Sequence, residues 1–147
     1  MKIAAISRDG VIRVDAHARA GCFVLLDQLD VAFEGGGFFR IPAGFPFDGA
    51  SIPPRFRSII QSLTIAGSVL FVVHDAAYAA GASWITPRGA RIGISRARAD
   101  KMAEAVCAYL GLAIDDCVEI YAALRIGGAG SFRRRAISQT FAEWRAV

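Results

Sequence analysis

The hydrophobic pattern of the chain changes at Pro53-Pro54. Before these prolines, short apolar or alternating stretches rich in β-branched and aromatic residues are separated by glycines, as in the strands of an antiparallel sheet. After them the apolar residues recur with a helical period. The sequence therefore predicts an α+β fold, in which a small N-terminal antiparallel β-sheet precedes a core of two or three long antiparallel helices. The predicted strands are residues 10–14, 22–26, 31–33 and 37–41.

Three helices are predicted in the second part. The first covers residues 63–80 and is apolar almost all round, so we expect it at the centre of the core. The second runs from residue 96 to 110, with Ser95 as its N-cap and Gly111 after its end. The third covers residues 115–126 and begins with two acidic residues, which are favourable at a helix N-terminus.

The length of 147 residues and the 54% content of hydrophobic residues favour one domain with a dense core. We divide it into a β-rich part (1–52), a helical core (53–130) and a basic C-terminal segment (131–147). A short helix is expected at residues 55–60, and the glycine-rich residues 81–93 are predicted to form a loop. A last amphipathic helix is expected within the C-terminal segment.

The composition also limits partners and location. No transmembrane segment is predicted, because the longest apolar run, residues 63–73, is about half the roughly 20 residues needed. The N-terminus lacks the apolar region of a secretory signal, so export by that route is not expected. The formal charge of +4 comes with local arginine clusters, which favour anionic partners or form only a solvated surface. The arginines concerned are Arg88, Arg91, Arg96, Arg98, Arg133, Arg134 and Arg135.

A His-Asp-x-x-Tyr cluster, His74, Asp75 and Tyr78, interrupts the apolar first helix. Ionisable groups on a buried helix are costly unless they are paired or used in chemistry. His74 and Tyr78 share a helix face, and Asp100 lies on an apolar face of the next helix. We predict that Asp100 accepts a hydrogen bond from His74 and that Tyr78 supports Asp100. The second nitrogen of His74 would then deprotonate water, which makes these three residues the predicted catalytic group.

Asp75 is rotated by about 100° from His74 on the helix, so we predict it as a ligand of a hard cation. Calcium requires several oxygen ligands, and Asp48 is the best second carboxylate, since Gly49 would let backbone carbonyls turn towards the metal. The sequence therefore predicts calcium at Asp75 and Asp48. The plainer interpretation is a satisfied core network, in which Asp100 pairs with Arg96 or Lys101.

Two resemblances extend this interpretation. The motifs FDGASIP at residues 47–53, HDxxY at 74–78 and SRxxxD at 95–100 resemble a family of small uncharacterised proteins from phages and prophages. That resemblance covers residues 38–128 and implies no assigned activity. It implies synthesis in the cytoplasm of a host cell, with association with a virion or release at lysis, and other phage components as partners.

The helical half resembles the catalytic core of secreted bacterial and fungal phospholipases A2. The similar features are HDxxY, the Ser-Arg start of the next helix with its buried aspartate, and YAALRIG at residues 121–127. This resemblance implies His74 as general base, Asp100 as its partner, Tyr78 as a hydrogen-bond donor to the pair, and Asp75 and Asp48 as calcium ligands. It implies phospholipid or another anionic amphiphile as substrate.

The sequence is compatible with three functions. The first is a calcium-dependent lipid or ester hydrolase of phospholipase A2 type. The second is a non-catalytic phage accessory or virion protein with the same helical scaffold. The third is a metal-dependent cell-wall hydrolase, for which His17 would have to join His74. Nucleic-acid binding is not favoured, because no recognised binding motif accompanies the arginines.

Overall fold

The structure is a computed structural model. It describes residues 1–16, 22–48, 66–79 and 83–127. The predicted helices at 55–60 and in the C-terminal segment, together with His17, lie outside the described residues.

The described residues form eight strands and three α-helices. The strands are β1 (Ile3–Ile6), β2 (Val14–Ala16), β3 (Cys22–Leu25), β4 (Leu29–Phe33), β5 (Phe38–Ile41), β6 (Pro46–Asp48), β7 (Ser83–Ile85) and β8 (Arg91–Ile92). The helices are α1 (Ala66–Tyr78), α2 (Arg96–Tyr109) and α3 (Ile114–Gly127). The predicted α+β class is therefore confirmed. None of these helices combines the length and apolarity that a membrane-spanning segment requires.

The strands form two antiparallel sheets instead of one. The larger has the order β1-β4-β5-β7-β8 and the smaller the order β2-β3-β6. In β4 the side chains of Leu29, Val31 and Phe33 are buried and alternate with less buried ones, as expected for a strand with one face on a core. On the other face, Asp30 lies opposite Arg40, which donates two hydrogen bonds of 2.8 Å to its carboxylate.

The prediction of a loop at residues 81–93 is wrong for the described residues 83–93, which form the β7–β8 hairpin. Its strands are only three and two residues long, so turn residues dominate the local composition. Tertiary contacts determine the pairing: Trp84 lies opposite Phe39 in the sheet, and its ring stacks on that of Phe33 at 4.3 Å between centroids. The hairpin thus extends the larger sheet by two strands.

The helices agree closely with the sequence prediction. Ser95 caps α2 by accepting a hydrogen bond from the backbone N–H of Arg98. Neighbouring helices α2 and α3 are antiparallel, since Arg96 at the start of α2 bonds the carbonyl of Leu124 near the end of α3. At the other end of α2, the N–H of Leu112 in the short link to α3 bonds the carbonyl of Cys107. Fully buried side chains of α1 and α2, such as Val73 and Met102, belong to the same core as the larger sheet.

We predict that Gly37→Ala destabilises the fold more than Gly35→Ala. Both glycines have positive φ, +84° and +88°, so each alanine costs about 1–2 kcal/mol of backbone strain. A Cβ on Gly37 would also lie 2.8 Å from the backbone oxygen of Ile85, whereas one on Gly35 meets nothing within 4 Å. We expect a loss of about 2–4 kcal/mol of unfolding free energy for Gly37→Ala. Equal losses in denaturant unfolding would contradict the β5–β7 packing.

Candidate functional site

The central helix α1 carries three of the predicted site residues. Its apolar character on almost every side places Asp75 and Tyr78 in the core, where they are 2% and 3% exposed. The imidazole of His74 packs on the ring of Tyr78, with 4.4 Å between the centroids and an interplanar angle of 39°. The sequence prediction that these two rings share a helix face agrees with this contact.

Asp100, in the second turn of α2, is fully buried at 0% exposure. The hydroxyl of Tyr78 donates a hydrogen bond to its Oδ1 atom, which is the support of Asp100 by Tyr78 that the sequence predicted. Its Oδ2 atom accepts a hydrogen bond of 2.9 Å from Nη1 of Arg125, and Nε of Arg96 lies 3.8 Å away. The carboxylate of Asp100 therefore joins side chains from all three helices.

Two arginines compensate the charge of Asp100. Arg96 also donates hydrogen bonds from Nη2 to the backbone carbonyls of Leu124 and Arg125 in the last turn of α3, where a cation is favourable. The hydrogen bond from Arg125 to Asp100 raises the pKa of the Arg125 guanidinium above its usual value. The carboxylate of Asp100 is thus hydrogen-bonded at both oxygens, and its partners come from all three helices.

His74 does not make the predicted hydrogen bond to Asp100, whose described contacts are with Tyr78, Arg125 and Arg96. Its Nδ1 atom lies 3.5 Å from Oδ1 of Asp75. Its Nε2 atom is buried and has no hydrogen-bond partner among the residues that the structure describes. Buried polar atoms are paired in the great majority of cases, so this nitrogen marks His74 as a candidate for chemistry.

The two predicted calcium ligands come from neighbouring elements. Asp48 is the last residue of β6, and β6 packs against α1, which carries Asp75. Within the described parts of the chain, no group of three or more His, Cys, Asp or Glu side chains is arranged to hold a metal ion. Calcium binding by Asp75 and Asp48 stays a prediction.

Sequence reasoning missed Arg125 as a member of the cluster. Of the two cations considered for Asp100, Arg96 is in contact with it, while Lys101 pairs with Glu104 at 2.6 Å. Arg125 lies twenty-five positions from Asp100, and only the antiparallel packing of α2 and α3 brings it to the carboxylate.

Of the cysteines, Cys107 and Cys117 are free and buried, and burial raises the pKa of the Cys107 thiol to about 12, as for an unreactive core residue.

Burial, together with the hydrogen bond to Asp100, raises the pKa of Tyr78 from 10.0 to about 12. The phenol is therefore neutral at physiological pH and acts as a donor to the carboxylate. Tyr78 can orient Asp100, and it is unsuited to act as a base. The imidazole of His74 therefore stays the predicted base of the cluster.

We predict that Tyr78→Phe lowers the free energy of unfolding by about 1–3 kcal/mol, because Oδ1 of buried Asp100 loses its donor. Tyr109→Phe is the matched control, since Tyr109 lies on the same helix as Asp100 but is 39% exposed. Denaturant unfolding of both variants measures the difference. A loss for Tyr78→Phe no larger than that for Tyr109→Phe would argue against this hydrogen bond.

The raised pKa of Tyr78 gives a second prediction. A folded-state pKa above the unfolded value stabilises the fold below pH 10, and this contribution is lost as the pH rises through about 12. In an absorbance titration of tyrosinate, we expect one of the three tyrosines to ionise late and to do so together with loss of stability. The late component should be absent in Tyr78→Phe, and its persistence there would assign it to another tyrosine.

Residues 23–124 match the family described as "Protein of unknown function (DUF1353)". No curated protein and no solved structure gives a significant match to the chain. The matched segment runs from β3 into α3 and contains His74, Tyr78 and Asp100, but ends one residue before Arg125. Because the match covers well over half of the sequence, the chain belongs to the DUF1353 family.

Proposed function

We propose that the protein is a hydrolase of lipid or other carboxylic esters, of phospholipase A2 type, in which His74 activates water. One observation carries the proposal: the imidazole of His74 packs on Tyr78 beside buried Asp100 and leaves Nε2 without a hydrogen-bond partner among the described residues. A histidine nitrogen free to accept a proton, next to a fixed carboxylate, is the arrangement that general-base catalysis requires.

In the proposed reaction, Nε2 of neutral His74 takes a proton from water while the water oxygen attacks the ester carbonyl carbon. Nδ1, which lies 3.5 Å from Oδ1 of Asp75, keeps its own proton. The tetrahedral intermediate then expels the alcohol, which receives the proton from the imidazolium. Because Nε2 is buried and the His74 side chain is 16% exposed, the ring must turn for water to reach the nitrogen.

Asp100 and Tyr78 support this step electrostatically. The carboxylate of Asp100 favours the imidazolium that forms on proton transfer, and Tyr78, which keeps its proton up to pH values near 12, fixes the carboxylate. Positioned groups of this kind need no reorganisation during the reaction.

Calcium is part of the proposal through Asp75 and Asp48, as the phospholipase A2 resemblance implies. When bound, calcium would polarise the ester carbonyl and stabilise its developing negative charge. Of the two proposed ligands, Asp75 is buried, and the described residues contain no complete set of ligands. The proton transfer at His74 is therefore proposed independently of the ion.

A second candidate is a non-catalytic accessory protein, including one of a phage particle. One observation favours it: both oxygens of Asp100 are already satisfied by Tyr78 and Arg125, so the cluster is stable without a substrate. On this proposal the cluster only fastens the three helices. The phage origin rests on the sequence resemblance.

The test is fatty-acid release from phospholipid vesicles, with calcium or with a chelator. We expect release by the natural protein and a decrease of about 10²–10⁴-fold for His74→Gln, since a general base is lost. His17→Gln is the matched control, because it removes the other histidine of the chain. Thermal unfolding of both variants verifies that they are folded.

The outcomes separate the three functions. Fatty-acid release that persists in His74→Gln would reject the proposed hydrolase. No release from well-folded natural protein would also reject it, and would favour the accessory protein. Loss of activity in His17→Gln as well as His74→Gln would favour a metal site that uses both histidines. Release that is unchanged by the chelator would reject the calcium part alone.

A further inference from the structure

One face of α3 is turned to solvent and is unusually apolar. Four of its exposed residues follow one another at intervals of four, and they form a continuous apolar ridge along the helix: Ile114, Val118, Ala122 and Ile126. Ile114 is 69% exposed, Val118 50% and Ile126 80%. The opposite face is also apolar and is buried against the core through Cys117, Ile120 and Ala123.

This pattern is unusual for a surface helix. A helix with one partner carries a single apolar stripe and is polar on its solvent side. Since α3 is apolar on both sides, its outer ridge has the composition of a second packing surface. The buried face is already occupied by α2, and among the described residues Ile114, Val118 and Ile126 on the ridge are exposed.

The charges beside the ridge have opposite signs at its two ends. Asp115 and Glu119 are exposed in the first half of α3, and Arg125 is exposed near its end. A guanidinium has five N–H donors, and Arg125 uses Nη1 for Asp100, so others are free to pair outwards. An antiparallel copy of the same helix would place Arg125 opposite Asp115 and Glu119 of the second copy.

We infer that the ridge of α3 is a homodimer interface, in which two copies of the chain pack α3 against α3 antiparallel across a twofold axis. Ridges with a spacing of four residues interdigitate between helices, and the small Ala122 near the middle allows close approach. Antiparallel helices also bring opposite ends of their dipoles together. This inference goes beyond the proposed hydrolysis and does not depend on it.

A second copy fits this surface better than an unrelated partner, because the ridge and its charges are complementary to themselves under twofold rotation. The contact is small: α3 has 14 residues, which corresponds to a length of about 20 Å. Interfaces of this size lie at or below the lower end of those in stable complexes. We therefore expect a weak dimer with a dissociation constant in the micromolar range.

The test is the mass of the full chain in solution, measured by sedimentation equilibrium over a wide concentration series. We expect the average mass of the natural protein to rise with concentration from 15.7 kDa towards twice that value. Val118→Lys should stay at the monomer mass, because it places a charge in the ridge while replacing a β-branched residue with a better helix former. Val11→Lys is the matched control, since Val11 is similarly exposed at 54% but lies far from α3 in the sequence. It should dimerise like the natural protein.

Each other outcome overturns the inference. A natural protein that stays monomeric at the highest concentration would show that no second copy binds the ridge. If that monomer is also destabilised by Val118→Lys, the ridge is covered within the chain itself. Equal dimerisation of Val118→Lys and the natural protein would place the interface elsewhere. A salt titration adds a further check, because pairing of Arg125 with acidic residues should weaken as ionic strength rises.

Discussion

The helical core depends on the compensation of one buried charge, the carboxylate of Asp100. This group has no solvent exposure, and its contacts come from Tyr78 on α1, Arg96 on α2 and Arg125 on α3. Breaking a buried pair by removing one partner commonly costs about 3–5 kcal/mol, because the other charge is left uncompensated. The three helices can therefore pack in few other arrangements without leaving the carboxylate unpaired. The contacts of Asp100 therefore constrain the relative position of the three helices.

That constraint also determines what His74 can do. In this packing Tyr78 and Arg125 donate to the two oxygens of Asp100, and the imidazole packs on Tyr78 with Asp75 beside its Nδ1 atom. Asp100 contacts Tyr78, on which the imidazole of His74 packs, but makes no direct hydrogen bond to His74. A network of this type can stabilise a fold and also position a general base. The hydrolase and accessory proposals differ only in whether His74 acts as that base.

The larger sheet contributes by fixing the start of α2. Trp84 on the β7–β8 hairpin stacks on Phe33, and the guanidinium of Arg98 lies over the Trp84 ring at 4.3 Å. A cation held on an aromatic face in this way links the sheet edge to the first turns of α2. Those turns carry Arg96 and Asp100. The β7–β8 hairpin, which was not predicted from the sequence, therefore helps to position the buried carboxylate.

The sequence by itself determined the features that depend on neighbouring residues: the α+β class, the Ser95 cap of α2, and the shared face of His74 and Tyr78. These follow from periodicity, caps and turn chemistry, which act over a few positions. Only the tertiary structure decided the β7–β8 hairpin and the pairing of Arg125 with Asp100. Both join residues distant in the chain, where a short strand or a single arginine carries no local signal. The direct contact from His74 to Asp100 was predicted from compatible chemistry, but the packing of the three helices places Tyr78 and Arg125 at the carboxylate and His74 beside Tyr78 and Asp75.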